Sequence, residues 1–388
     1  MAVCSSLRPA LFWAAALTLL LVSFAYGLDD ASLSQTAHSK VDAGDPPGAT
    51  ELFSQLLQQY PDSTKAPDAQ LSLAKIKYKL NPQATQELLD AFSLVRTKYP
   101  ASAEAAEALA RMGFLHTKSS TAQAINDFTT FLTGNPDHPL AASVQQSLGR
   151  LYLKTKEFDK AEAAFDAVKT FATAPAGVAD EAALQSGFVK IMKFYASKDK
   201  SYLQAAMEAL SKFGSSSRVK VRARADLGVA ECLLLLGKAE QARAKYEAAS
   251  QTYSTEPYFQ GLALYGVACS SQQAGNLDSA ISDYDAFLGA QAGANLKDKD
   301  TAWKASCLAS TSASAQASVQ ADGSWGRIPA SGIVTKAACQ RGDCLYSLGR
   351  YKDAEQQFKE VADAFPDDPI GNQAKEGLAR CRMAKGGK

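Results

Sequence analysis

The sequence lacks the short patterns that mark common catalytic and metal-binding sites. It contains no Cys-x-x-Cys, no His-Glu-x-x-His, no Gly-x-Ser-x-Gly and no glycine-rich phosphate loop. Its three histidines, His38, His116 and His138, are dispersed, and none stands at a metal-ligand spacing. These absences favour a non-enzymatic protein, and we expect no catalytic residue, no metal and no cofactor.

A surplus of charge and a strand pattern are missing as well. Lys and Arg number 41 against 40 Asp and Glu in 388 residues, so the chain lacks the positive field that dominates nucleic-acid binding. No segment shows sustained alternation of β-branched residues. We therefore expect no nucleic-acid partner and predict an all-α fold.

One long apolar run is present, at the N-terminus. Arg8 precedes the uncharged stretch Pro9–Tyr26, and Ala25 and Gly27 stand at the small-residue positions of a signal-peptidase site. We predict a signal peptide at residues 1–27 and export, with the periplasm as the expected compartment. An uncleaved segment would instead anchor the chain in the inner membrane. No cysteine ends the run, so the lipobox of a lipoprotein is absent.

The rest of the chain repeats itself. "LGRLYLKTKEFDKAEAAFDAVKTF" at 148–171 and "RGDCLYSLGRYKDAEQQFKEVADAFP" at 341–366 share one pattern, and one small or apolar position of it recurs along the chain. That position is held by Ala49, Leu88, Ala124, Ala161, Ala206, Ala242, Ala280 and Ala354. An aromatic residue follows four positions later in all but one case, where Leu210 takes its place. Prolines punctuate the ends of several second helices: Pro61, Pro100, Pro136 and Pro366.

This pattern resembles the tetratricopeptide repeat, a helix-turn-helix unit of about 34 residues. The resemblance implies a right-handed α-solenoid over residues 28–388. "QQYPDSTKAPDAQLSLAKI" and "TKYPASAEAAEALARMG" are most similar to exported bacterial members of the family, such as the barrel-assembly lipoprotein and the periplasmic coordinator of the Tol–Pal system. The chain departs from the first by lacking a lipobox and from the second by lacking an obvious N-terminal coiled coil.

The spacing predicts about nine helix pairs, beginning near Ala31, and a capping helix over Asn372–Ala384. Two spacings deviate. The 45 residues before Ala206 predict a longer pair, and the 74 residues before Ala354 leave room for a degenerate repeat or a loop at 290–332, with Ala317 as the marker of a hidden second helix.

Cysteines recur at the same period. Cys232, Cys269, Cys307, Cys344 and Cys381 are spaced by 37 or 38 residues, and the inclusion of Cys307 favours the hidden repeat. Equivalent positions on stacked helices lie about 8–10 Å apart, which exceeds the Cα distance of about 7 Å that a disulfide allows. We expect mainly buried thiols, although the sequence leaves open whether any of the six mature cysteines pairs.

The resemblance implies that first helices line a concave groove that holds an extended peptide or a helix. Alignment to the repeat gives eleven residues that we expect to face this groove: Lys77, Gln146, Arg150, Lys154, Arg224, Glu231, Tyr265, Gln272, Gln273, Asp343 and Tyr346. We expect protein partners, chiefly envelope proteins, and contact with a membrane only through an uncleaved signal segment.

The leading functional hypothesis is a non-enzymatic protein-interaction scaffold of the bacterial cell envelope. Two alternatives stay open at this point. One is a ligand-binding or enzymatic component that acts on cell-wall glycans, and the other is a membrane-anchored adaptor.

Overall fold

The computed structural model describes residues 28–172, 174–310 and 332–386, and within these ranges all regular structure is helical. Eighteen α-helices and one 3₁₀ turn follow one another along the described chain, and none of its residues forms a strand. The predicted all-α fold is confirmed. Contacts divide the chain into two units, Met1–Val144 and Gln145–Lys388, and each is described by itself.

The first unit is built from three helix pairs and the start of a seventh helix. The bounds are α1 Asp30–Asp42, α2 Pro46–Gln59, α3 Ala66–Leu80, α4 Thr85–Lys98, α5 Ala103–Ser119, α6 Thr121–Gly134 and α7 Ala141–Lys154, of which residues 141–144 belong to this unit. Helices α2 and α4 each pack on the helix before and the helix after them, so successive pairs share one core.

The second unit continues the same arrangement from the rest of α7. Its helices are α8 Phe158–Ala167, α9 Ala176–Ser197, α10 Ser201–Ser211, α11 Val219–Leu235, α12 Ala239–Thr252, α13 Pro257–Gln273, α14 Leu277–Ala290, α15 Leu296–Ser310, α16 Ile333–Ser347, α17 Tyr351–Ala364 and α18 Pro369–Gly386. At 22 residues, α9 accounts for the long spacing before Ala206. Helix α18 packs on α16 and α17 at the end of the unit and includes the predicted capping helix.

The repeating positions of the sequence form the core. The eight small or apolar markers from Ala49 to Ala354 are no more than 1% exposed. The seven aromatics that follow them, and Leu210 in the eighth case, are no more than 5% exposed. Three glycines on first helices let these aromatics approach closely. A Cβ added to Gly149 would lie 2.7 Å from the Phe165 ring, and Gly113 and Gly342 stand in the same relation to Phe128 and Phe358. The repeat therefore encodes both the aromatic and the space it fills.

Turns and prolines delimit the helices as the sequence predicts. Helices α2, α4, α6 and α17 each end two residues before a proline of the predicted set. Between first and second helices, Gly237, Gly275 and Gly349 adopt left-handed φ values of 79°, 82° and 74°. Lys156 occupies the equivalent turn with φ 62°, a conformation that costs a residue with a Cβ but not glycine.

Helix α15 occupies a different place from the one that the hidden repeat predicts. Helix α14 packs directly on α16, and α15 contacts α13, α16 and α17 instead of forming a further first helix between two successive pairs. Its Trp303 is fully buried, with its ring 5.4 Å from Tyr258 and 6.0 Å from Phe287. The 74-residue spacing therefore includes an inserted helix that adds an anchor to the core. Ala317 and the predicted hidden second helix lie outside the described residues.

The predicted signal peptide, residues 1–27, also lies outside the described residues. Among the residues that the structure describes, no helix combines the length and the apolar character needed to span a membrane.

Candidate functional site

Polar residues of the first helices in the second unit form the candidate site. We call this the first-helix surface, and it consists of Gln146, Arg150, Glu181, Gln185, Arg224 and Glu231 on α7, α9 and α11. Gln146 is 7% exposed, and its Nε2 donates to Gln185 Oε1 at 3.5 Å. The predicted residue is therefore present on this surface, but a neighbouring helix covers most of it.

Three charged residues of the first-helix surface gather into what we call the arginine–glutamate cluster: Arg150, Glu181 and Arg224. Arg224 Nη1 donates to both oxygens of Glu181, at 2.5 and 2.7 Å, and its guanidinium lies 5.8 Å from the centre of the Phe188 ring. The side chains of Arg224 and Glu181 are 23% and 25% exposed. A short charge-assisted bond of this kind is geometrically specific and orients both groups.

Arg150 adds a second cation to this single carboxylate. Burial lowers the pKa of the Arg150 guanidinium, Glu181 opposes that shift, and Arg224 reinforces it. Arginine stays charged in proteins even so. Glu181 thus bonds Arg224 and attracts Arg150, and the cluster brings one carboxylate and two guanidiniums together across three successive first helices.

Glu231 lies seven residues after Arg224 on the same helix. Its side chain accepts a hydrogen bond from the Tyr195 hydroxyl on α9 at 2.9 Å. Burial raises the pKa of the Glu231 carboxyl, while the Tyr195 hydrogen bond acts in the opposite direction. No ion pair involves Glu231 among the described residues.

Tyr265, Gln272 and Gln273 connect neighbouring helices instead of forming an open surface. Tyr265 is 2% exposed and donates to Gln340 Oε1 at 2.7 Å, which is a correction to its expected place in the groove. Gln272 accepts from the Tyr284 hydroxyl at 2.6 Å, and the exposed Gln273 donates to the Leu234 carbonyl at 3.0 Å. The alignment placed them on the correct helix but could not show which neighbours engage them.

The last helix covers Asp343 and Tyr346. Arg380 of α18 donates to Asp343 Oδ1 at 2.7 Å, and its guanidinium lies 5.2 Å from the centre of the Tyr346 ring. The Asp343 carboxylate and this hydrogen bond raise the pKa of Arg380. These two predicted residues therefore hold the cap in place.

Two predicted lysines remain exposed. Lys77 lies near the C-terminal end of α3 in the first unit, and Lys154 is the last residue of α7 in the second unit. Lysine near a helix C-terminus interacts favourably with the helix dipole, and its ammonium stays accessible. Of the two, Lys154 shares a helix with Arg150.

Sequence reasoning missed Glu181, Gln185 and Tyr195, all of which lie on α9. This helix is longer than the repeat, so alignment to the repeat failed to place its residues. The available signal was the acidic residue 43 positions before Arg224, close to one repeat away. A charge-complementary pair at the repeat spacing would have identified the cluster.

The histidines and cysteines serve packing. His38 and His116 each lie 2.7 Å from an aspartate oxygen, of Asp68 and Asp127, while Nδ1 of His138 accepts the Leu140 N–H at 3.1 Å. The described part of the chain holds no group of three or more His, Cys, Asp or Glu residues suited to a metal ion.

The described cysteines are free thiols: Cys232, Cys269, Cys339, Cys344 and Cys381. Burial raises the pKa of Cys339 to about 12 and of Cys344 to about 11. A thiol with a pKa this high stays protonated near neutral pH, and the thiolate is the nucleophile. These cysteines are therefore small core residues, and the side chain of Cys307 lies outside the description.

Comparison with known proteins supports the repeat assignment. A family model described as tetratricopeptide repeat matches residues 94–177 and 337–386. The search of curated proteins gave no match. The chain is similar in structure to a signal transduction ATPase with numerous domains from Pyrococcus horikoshii, which has a tetratricopeptide repeat sensor. The two share 13% identity at a TM-score of 0.51, and the match covers 87% of this chain and 50% of that one.

Two further solved structures match with lower TM-scores. One is a tetratricopeptide repeat protein from Parabacteroides merdae, at 18% identity, 72% coverage of this chain, 100% of that chain and a TM-score of 0.44. The other is PilW, a widely conserved type IV pilus biogenesis factor, at 14% identity, 70% and 99% coverage and a TM-score of 0.44. The family model thus places tetratricopeptide repeats in two segments of the chain, 94–177 and 337–386, and the described residues of both segments form paired helices.

Proposed function

We propose that the chain is a non-enzymatic scaffold of the bacterial cell envelope that binds a protein partner through the first-helix surface of its second unit. Proteins built from tetratricopeptide repeats generally act in protein–protein interaction, which supports the general role. The partner, the surface and the compartment are the specific parts of the proposal.

The arginine–glutamate cluster is the observation that carries the proposal. In it, Glu181 orients the guanidinium of Arg224 and attracts that of Arg150, so two cations lie close together on first helices. A partner carboxylate would be attracted to these two guanidiniums, and Glu181 already orients that of Arg224, which reduces the entropy lost on binding. An acidic side chain of the partner is therefore the group that we assign to this place.

The envelope assignment rests on the N-terminal sequence. Arg8 followed by the apolar run Pro9–Tyr26 and the small residues Ala25 and Gly27 has the order of a secretory signal. Cell fractionation with N-terminal sequencing of the mature protein tests it. A chain that begins at Leu28 in the periplasmic fraction supports the proposal, and a cytoplasmic chain that begins at Met1 contradicts it.

Capture of partners from an envelope extract tests the surface. Arg150→Gln removes the second guanidinium with little change in side-chain size, and Lys154→Glu reverses an exposed charge on the same helix. We expect each variant to recover the partner about ten-fold less well than the unmodified protein, which corresponds to the loss of one charge-assisted contact.

Lys352→Glu is the matched control. Lys352 is exposed on the second helix α17, away from the first-helix surface. The Lys352→Glu variant makes the same charge change as Lys154→Glu, but away from the proposed binding surface. We therefore expect it to leave recovery of the partner unchanged. Equal recovery by all three variants would count against the first-helix surface as the binding site.

A further inference from the structure

Two acidic residues on first helices of the second unit are paired with arginines of a later helix in the stack. Glu181 on α9 pairs with Arg224 on α11, and Asp343 on α16 pairs with Arg380 on α18 at 2.7 Å. The two members of each pair are 43 and 37 residues apart in sequence, which is close to the length of one repeat. In these two cases an arginine about one repeat later neutralises the carboxylate.

Glu231 differs from these two residues. It corresponds to Asp343, because each follows a small residue, Ala230 or Gly342, and each precedes a buried cysteine, Cys232 or Cys344. The position one repeat later, where Asp343 has Arg380, holds Ala268 on α13, directly before Cys269. An alanine side chain supplies no positive charge.

Within the described part of the chain, Glu231 accepts one hydrogen bond and forms no ion pair. The Tyr195 hydroxyl donates at 2.9 Å, and the nearby Lys198 ammonium lies 5.7 Å from the centre of the Tyr195 ring. Among the described residues Glu231 takes part in no salt bridge. Removing a carboxylate from water without a counter-charge is costly, so a fold keeps such a group most readily where a bound group offsets the cost.

We propose that Glu231 is a receptor for a basic side chain, a lysine or arginine of the bound partner, which takes the place that Arg380 takes beside Asp343. The partner cation would complete the charge pair, and the Tyr195 hydroxyl would keep the carboxylate oriented toward it. That the cation comes from a bound protein partner depends on the proposed scaffold function. That Glu231 binds a basic group does not depend on it.

The spacing from the arginine–glutamate cluster adds to the description of the partner. Arg224 and Glu231 are seven residues apart on α11, which is two helical turns or about 10 Å. The partner segment that fits both places carries an acidic and a basic side chain about 10 Å apart. Such a pair lies three residues apart in an extended peptide.

N-acetyl-arginine amide is the probe for the cation site, and the neutral isostere N-acetyl-citrulline amide is its control. Thermal unfolding of the full chain is followed as each compound is added at matched ionic strength. Ligand that binds only the folded state raises the unfolding temperature by mass action. We expect the arginine probe to raise it more than the citrulline probe does, by saturable binding.

Glu231→Gln keeps the acceptor for the Tyr195 hydroxyl and removes the charge, so the variant should fold. We expect it to bind the arginine probe about ten-fold more weakly. Glu376→Gln, an exposed carboxylate on α18, should bind like the unmodified protein. Equal responses of the unmodified protein and Glu231→Gln, or equal responses to the two probes, would overturn the proposal.

This outcome is separable from that of the scaffold proposal. If the arginine probe does not bind but partner capture still depends on Arg150, only the proposed cation site at Glu231 is ruled out. If partner capture does not depend on Arg150 but the arginine probe binds, only the proposed contact between the cluster and a partner carboxylate is ruled out.

Discussion

At the scale of single residues, the molecule contains groups whose surroundings oppose their chemistry. Glu231 is a carboxylate that burial disfavours, and Lys156 is a residue with a Cβ in a left-handed turn. Each is a local cost within a regular repeat. The first lies on the first-helix surface, and the second lies in the turn directly after Lys154.

Glu231→Gln should stabilise the protein at neutral pH. The pKa of Glu231 is raised in the folded state, so its favourable contribution is fully present below the unfolded pKa and is lost as pH rises through the folded pKa. Urea unfolding should give equal free energies near pH 4 and an advantage for the variant on the order of 1 kcal/mol at pH 8. A difference that does not change with pH would contradict this account, and Glu376→Gln serves as the control.

Lys156→Gly should raise the free energy of unfolding by about 0.5–1 kcal/mol, because glycine adopts positive φ without the penalty of a Cβ. Glycine occupies the three equivalent turns, so the geometry of this turn favours glycine. Lys245→Gly, at an exposed position within α12, should instead cost about 1 kcal/mol. Urea unfolding midpoints of the two variants should therefore move in opposite directions.

At the scale of helices, the repeat works because an aromatic of the second helix fills the space left by a small residue of the first. Gly149 and Phe165 show this within one pair. Trp303 shows the complementary case, in which an inserted helix places a large ring against Gly261, where an added Cβ would lie 2.5 Å from it. Helix association here depends on steric fit at a few positions.

Gly149→Ala should destabilise the protein even though alanine favours helix. The added methyl group overlaps the Phe165 ring, and overpacking of about 1–3 kcal/mol exceeds the gain in helix propensity of about 1 kcal/mol. Gly289→Ala on α14 has open space around the new methyl group and should leave stability unchanged or raise it. Thermal unfolding in which both variants gain stability would contradict the packing argument.

Trp303→Ala should release α15. The ring is fully buried between α13 and α14, and truncation of a buried tryptophan costs about 3–5 kcal/mol. Hydrogen exchange should show lost protection over 296–306, whereas Leu348→Ala at a partly exposed turn should change it little. Unchanged protection of this segment in the tryptophan variant would rule out its role as an anchor.

At the scale of the whole chain, the sequence predicted the elements well and the open surface poorly. The markers from Ala49 to Ala354, the proline positions and the capping helix follow from a period that each pair needs in order to bury its apolar side. The sequence did not predict the place of α15 in the stack, because the spacing of Cys307 from the other cysteines coincides with the repeat period. The residues predicted to face the groove lie on first helices, yet Tyr265 and Gln146 are buried, because exposure depends on the neighbouring helix and not on the residue's own repeat.

Cross-linking in living cells tests the central claim most directly. A photoreactive amino acid replaces Lys154, beside the arginine–glutamate cluster, or Lys352 on α17 as the control, and mass spectrometry identifies the adducts. The account predicts a protein adduct at position 154 that disappears with Arg150→Gln and is absent from position 352. The same adduct at both positions, or one at position 154 that persists in Arg150→Gln, would contradict a partner bound at the first-helix surface.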